Sequence, residues 1–281
     1  MSTNEWMGDS TTHFMKSGEV FRSDDNDQLH ELAKLIPKEA NGVKVEYDIT
    51  YDAPHIAGYK YTDFLTKAIY LAPNSFKISR NNISEVAGWD STDEGLEVAD
   101  KLRESICDKY FLDNDDEEYE CDELVVLPGT NILIREGAID MEKIDGLVTN
   151  GAKVKLHPIT SRVWRNLLAN RWGRDNVIPA DAPLYPILRG CKKVHFPMSS
   201  ETGISSTLLG KQIGIITGPK PTICNFEFIY RGLDGCNASK RLIDKLTALL
   251  SHPESGIITV FHRDPEKRIN QYFEHMRKYH K

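Results

Sequence analysis

Apolar residues recur along this chain in short runs and at helical spacing, with turn residues between them. In the first third, Leu29, Leu32, Leu35 and Ile36 predict a helix over residues 26–36, and Val43, Val45, Tyr47 and Ile49 alternate as in a half-buried strand. Phe64, Leu65, Ala68, Ile69 and Leu71 suit a helix over residues 59–71 that ends at Pro73, and residues 76–78 read as a strand. Leu102, Ile106 and Tyr110 share one face of a helix over residues 97–111. Alternating strand and helix predict a parallel α/β sheet.

The rhythm is clearer further on. Strands are predicted over residues 124–127, 152–156, 177–178, 193–196 and 212–217, with helices over 141–148, 161–171 and 183–189 and another over 204–209. Short strands alternating with helices predict a doubly wound sheet, in which ligands bind beyond the carboxyl ends of the strands. An amphipathic helix over 240–250, a strand over 256–261 and a helix over 265–280 close the chain. Ile269, Tyr272, Phe273 and Met276 line one face of that last helix, and Arg268, Arg277 and Lys278 read as its solvated face.

Charge divides the chain more sharply than hydropathy does. The net charge is −7, but residues 1–123 hold 28 acidic and 12 basic side chains against 14 and 23 in the remainder. The acidic run of residues 113–123 reads as a solvated connector, giving an acidic α/β domain over 1–120 and a basic one over 121–281. A basic module suits a phosphate-bearing ligand, whereas the acidic surface alone would serve solubility. No apolar run approaches the roughly 18–20 residues that span a bilayer, and residues 1–17 lack the apolar core of a signal peptide. Five scattered cysteines without a C-x-x-C pair argue against a disulfide framework or a zinc site, so the expectation is a cytoplasmic protein.

Three predicted strand ends carry chemistry. Pro128-Gly129-Thr130 follows the first strand of the basic half, Lys155-Leu-His157-Pro158 ends the second, and Ser199-Ser200 follows the strand at 193–196. A histidine before proline is held extended, where its imidazole reaches over a sheet edge toward a phosphate oxygen. Paired serines at a helix start offer hydroxyls and backbone amides to the same anion. Each motif has a plainer reading: the serines as a helix cap and His157 as a buried, satisfied histidine.

Lys155-Leu-His-Pro158 followed by Ser199-Ser200-x-x-Gly203-Ile-x-x-x-Leu208-Leu209-Gly210-Lys211 resembles the nucleotide-binding half of GT-B glycosyltransferases. The group concerned includes bacterial sialyltransferases, Kdo and capsule polysaccharide transferases, and glycerophosphotransferases. The resemblance spans residues 124–218 and implies two Rossmann-like domains facing a cleft, with the final helix packing back on the first domain. It implies a transferase that moves a sugar from a nucleotide-activated donor to a glycan or other hydroxyl acceptor, with no metal and no other cofactor. On that pattern Gly129, Thr130, Lys155, His157, Pro158, Ser199, Ser200 and Thr202 bind the donor, and Tyr185, within the segment 180–186, lies where the base is lined. His157 would stabilise the charge that develops on the leaving phosphate. Several relatives carry a ribose-binding Glu in the helix after the serines, where this chain reads Ile204-Ser-Ser-Thr207.

Inverting transfer to a hydroxyl also needs a base. Asp52, just after the strand at 43–49, is the first candidate, and Asp90 the second. Other readings stay open: a bacteriophage-type DNA glycosyltransferase acting on hydroxymethylated bases, a sugar-nucleotide epimerase or hydrolase, and a non-catalytic nucleotide-binding module. The acidic half opposes a DNA acceptor, because binding phosphates relies on lysine and arginine.

Overall fold

The computed structural model describes residues 21–22, 27–40, 42–47, 56–62, 68–72, 89–106, 110–111, 119–198, 200–220 and 239–277. The first half supplies β1 (Phe21–Arg22), α1 (Asp27–Lys34), β2 (Glu39–Ala40), β3 (Val43–Tyr47), β4 (Ile56–Thr62), β5 (Ala68–Ala72), α2 (Asp93–Ser105) and β6 (Tyr110–Phe111). The second half begins with β7 (Glu123–Val126), α3 (Thr130–Leu133), α4 (Met141–Thr149), β8 (Lys153–Lys155), α5 (Arg162–Trp172) and β9 (Val177–Ile178). It continues through α6 (Leu184–Gly190), β10 (Lys193–Phe196), α7 (Thr202–Leu208), β11 (Gln212–Ile215), α8 (Ser239–Ser251), β12 (Ile257–Thr259) and α9 (Pro265–Arg277).

Leu124, Val125 and Val126 are all buried, which explains why that run is continuously apolar: the strand is covered on both faces. Leu124 and Val126 face a core with Phe196, Ile204 and Leu208, while Val125 and Leu127 face Ile144, Val154, Leu168 and Trp172. The sheet order is β11-β10-β7-β8-β9 with every pair parallel. The first strand entered, β7, is therefore central. The chain winds outward through β8 and β9, then returns to β10 and β11 on the other side, the doubly wound order expected of the basic half. Local signals set the helix ends: the Asp140 carboxylate caps α4 by accepting the Lys143 N–H at 2.9 Å, and Gly173 leaves α5 with φ +83°.

The acidic half departs from its expected Rossmann-like form. Its sheet runs β12-β5-β4-β3-β2, with only β3 and β4 parallel and the other neighbours antiparallel. The helix expected over residues 59–71 is instead parts of two strands, Tyr59 standing opposite Leu71 and Tyr61 opposite Ile69. Tyr59, Tyr61 and Thr62 are better strand than helix formers, and pairing decided between two readings of the same apolar spacing. The helix expected to reach residue 111 stops at Ser105, and Tyr110–Phe111 pairs with Phe21–Arg22 as a small ribbon. The strand expected over 76–78 lies outside the described residues.

The two sheets exchange elements. Val98, Ala99, Leu102 and Ile106, along α2 and at its end, pack into the core of the parallel sheet with Leu246, Leu249 and Leu250 of α8. Gly95 permits that crossing, since a Cβ there would collide with Ser251 Oγ and stand 2.7 Å from Thr247 O. In the other direction β12 completes the mixed sheet, and Ile269, Tyr272 and Phe273 of α9 bury Leu32, Ile36, Val45 and Leu71. At the joint, Gly256 holds φ +72° while its carbonyl accepts the Leu71 N–H at 2.8 Å.

Arg268, expected on a solvated face, is 6% exposed at this joint. Its guanidinium donates to Ile257 O (3.0 Å), Ser251 O (3.2 Å), Leu249 O (3.3 Å) and His252 O (2.8 Å), and burial lowers its pKa to about 10. His262 completes the joint, accepting the Thr259 N–H on Nδ1 at 2.9 Å and donating from Nε2 to Leu250 O at 2.9 Å. Among the described residues no helix is long and apolar enough to cross a membrane.

Candidate functional site at the carboxyl edge of the parallel sheet

Because all five strands run the same way, the loops after them gather at one edge. After β7, Pro128 and Gly129 are buried and Gly129 opens α3 in an extended conformation. A Cβ on Gly129 would stand 2.7 Å from Ile159 Cδ1, so this loop lies directly against the one that follows β8. Thr130 Oγ1 accepts the Ser161 N–H at 2.7 Å and fastens the two together.

The loop after β8 carries His157 and Pro158, both half-buried. The His157 carbonyl accepts the Thr160 N–H at 2.8 Å, and its Nδ1 accepts the Ile159 N–H at 3.2 Å. That second bond assigns the neutral ring's proton to Nε2, the tautomer that donates to an anion. Arg165 of α5 braces the same loop, donating from Nε to Thr160 O at 2.7 Å and from Nη2 to Pro158 O at 3.1 Å. Sequence reasoning missed this arginine; its place one turn into a helix that starts just after the His-Pro loop was the available signal.

Beyond β10, the Ser200 N–H donates to Pro197 O at 2.8 Å, and the Met198 N–H donates to Thr217 Oγ1 at 2.8 Å, joining this loop to the one after β11. Ser200 Oγ accepts the Thr202 N–H at 3.2 Å and donates to Thr202 Oγ1 at 2.9 Å, so its hydroxyl is engaged by the first residue of α7. Thr217 was likewise missed, as a hydroxyl two positions past the apolar strand β11 carries little signal.

The loops thus form two fastened pairs, one after β7 and β8 and the other after β10 and β11. Between the pairs lies the point where the winding reverses, the position at which open α/β sheets take their ligands. The chain between α3 and α4 walls one side of it: Ala138 O accepts the Gly218 N–H at 2.9 Å and the Asp140 N–H donates to Ile216 O at 2.9 Å.

Four expected site residues lie elsewhere or inside. Lys155 is 2% exposed, and its ammonium donates to Leu156 O at 2.7 Å and Ala180 O at 3.1 Å, tying the end of β8 to the chain beyond β9. Thr202 is 4% exposed beneath Ser200. Tyr185 begins α6 past the edge strand β9, two strands from β7, with the Arg189 guanidinium 4.5 Å from its ring centroid. Asp90 is exposed and its carbonyl accepts a bond from His252 Nε2 at 3.0 Å. Asp52 and Ser199 lie outside the described residues.

A second histidine, His195, sits within β10 rather than at its end. It is 2% exposed, paired with Glu123 at 3.0 Å, and its ring fills the space left by Gly214 on β11. Burial pushes its pKa down despite the carboxylate, so the ring is neutral.

No family model and no curated protein matches this chain. Among solved structures, the chain is similar to the glycotransferase of kitacinnamycin, with 13% identity over 63% of this chain and a TM-score of 0.28. The alignment covers 45% of that protein, so the chain spans less than half the length of the structure it matches.

Proposed function

We propose that this protein is a glycosyltransferase whose parallel sheet binds the phosphate-bearing part of a nucleotide-activated sugar. The observation that carries this reading is the strand order, which sets the loop bearing His157 and the loop bearing Ser200 on the strands flanking β7. In this reading His157 donates from Nε2 to a donor phosphate oxygen, and the backbone around Gly129, Thr130, Ser199 and Ser200 cradles the same group. The Nδ1 bond to Ile159 keeps the ring oriented, and Arg165 keeps the loop from moving away. Developing negative charge on the leaving phosphate is met by donors already in place. An acceptor hydroxyl, of a glycan or another polar molecule, then takes the sugar, with Asp52 as the proposed base in an inverting reaction.

A thermal-shift series with nucleoside mono- and diphosphates tests this. Saturating nucleotide at a hundredfold excess over its dissociation constant stabilises by about 2.7 kcal/mol, which raises the melting temperature measurably. His157→Ala is expected to abolish most of that shift with little effect on the unliganded melting temperature, because the ring is half-buried. Absence of a shift with every nucleotide overturns the reading. A shift without sugar transfer to any hydroxyl acceptor, or with hydrolysis alone, reduces it to a nucleotide-binding module or a hydrolase.

A further inference from the structure

The opposite, amino-terminal edge of the parallel sheet brings together two cysteines that the site does not use. β7 and β10 pair with Glu123 opposite Lys193 and Leu124 opposite Val194. Carried two residues toward the amino ends, the same register sets Cys121 opposite Cys191. The strands are still joined there, since Asp122 O accepts the N–H groups of Lys192 and Lys193 at 2.8 and 3.1 Å. Both side chains lie on one face: Cys191 belongs to the core formed by Leu124, Val194 and Phe196, and Cys121 packs against it. Opposed residues on neighbouring strands have Cα atoms about 4.8 Å apart, inside the range of roughly 4.4–6.8 Å that a disulfide spans. The pair is asymmetric, with Cys121 half-buried and Cys191 1% exposed.

We propose that Cys121 and Cys191 are a modification site that closes to an intramolecular disulfide when hydrogen peroxide oxidises Cys121. The Cys121 thiolate attacks the peroxide, the O–O bond breaks, and the departing hydroxide takes a proton to leave as water. Cys121 is then a sulfenic acid. The sulfur of Cys191 attacks it, the S–O bond breaks as the S–S bond forms, and the hydroxyl departs with the Cys191 proton as a second water. Two electrons pass from the two sulfurs to the peroxide, and a dithiol reductant restores both thiols. The more exposed cysteine meets the oxidant, and the buried one resolves it. The bridge joins the amino ends of β7 and β10, at the edge of the sheet opposite the proposed phosphate site, and the proposal does not depend on which ligand that site takes.

Burial sets the rate. It raises both thiols to about 11; Asp122 adds to this at Cys121 and Cys121 adds to it at Cys191, while Lys153 and Lys211 act the other way. Thiolate is therefore scarce near neutrality, and bridge formation is expected to accelerate about tenfold per pH unit between pH 7 and 9.

The experiment treats the full chain under native conditions with hydrogen peroxide, blocks remaining thiols, and maps linked peptides by mass spectrometry with and without reduction. The expected result is a reducible Cys121–Cys191 linkage, lost in Cys121→Ser, whose rate rises about tenfold from pH 7 to 8. In Cys191→Ala, Cys121 is expected to accumulate as a trapped sulfenic acid instead. Linkage of Cys121 to Cys107, Cys224 or Cys236 in the folded protein overturns the proposal. So does a folded protein whose Cys121 is oxidised beyond sulfenic acid without ever linking to Cys191.

Discussion

The parallel sheet and the mixed sheet are of equal strand number but are assembled from very different stretches of chain. The parallel sheet draws all five strands from residues 123–215, each followed by its own covering helix or loop. The mixed sheet takes four strands from residues 39–72 and waits for β12, almost two hundred residues later, to pair with β5. The strands of one unit thus come from nearby segments, with α2 and α8 only covering them, while the other sheet needs a distant strand and α9 to be complete. The lesson is that the joint at residues 251–268 governs the mixed sheet, and the parallel sheet should tolerate damage there better.

The strongest way to break this contrast is Arg268→Ala. It strips four carbonyls, two of them buried, of a charged donor, and the expected loss is about 4 kcal/mol in denaturant unfolding, concentrated in the mixed sheet by hydrogen exchange. A loss below about 1 kcal/mol would contradict the role assigned to this joint.

A glycine in each sheet sharpens the comparison. Gly256→Ala meets both a left-handed backbone (φ +72°) and the Leu71 carbonyl 2.8 Å from the new Cβ, neither of which can yield, for about 3 kcal/mol. Gly214→Ala in the parallel sheet meets first the His195 ring, 2.4 Å from the new Cβ, which can turn at the expense of its bond to Glu123, for about 2 kcal/mol. The reverse order would mean that the parallel sheet is the less forgiving of the two.

Acid probes the joint more gently. Burial, reinforced by the neighbouring Arg268 charge, lowers the His262 pKa to about 4. The folded state therefore resists protonation that the unfolded chain accepts near pH 6.5. This contribution is fully present above the unfolded value and is lost as the pH falls toward 4, which amounts to about 2 kcal/mol between pH 7 and pH 5. His195, also held low by burial, adds to the loss in the same direction. His262→Gln should flatten the slope of stability against pH over that range, measured by urea unfolding at several pH values. The smallest effect is expected at Thr217→Val, which frees the Met198 amide and should weaken nucleotide binding by about 1 kcal/mol with stability nearly unchanged.

The site was partly legible before the fold was known. His157-Pro158 and Ser200 announced themselves through residue types with restricted backbones or capping habits, and both do end parallel strands. Lys155 misled because a lysine beside a His-Pro pair looks like a phosphate ligand, yet a strand's last residue points into the structure as readily as out of it. Arg165 reaches carbonyls five and seven residues back, so its place just after the His-Pro loop was the signal, whereas Thr217 accepts the Met198 N–H of another loop, a contact that leaves no pattern near it in the chain.

For the fold, the run at Leu124–Val126 declared a buried strand by itself, because a strand covered on both faces is apolar at successive positions. Helix spacing declared α1, α2 and α5 in the same way. Only tertiary contact paired residues 59–62 with 68–71 as strands, since an apolar residue at every third or fourth place fits a helix and two paired strands alike. Only tertiary contact buried Arg268 as well: its charge is tolerable inside because four carbonyls, from residues 249–252 and from Ile257, meet it, and nothing near it in the chain foretells that meeting.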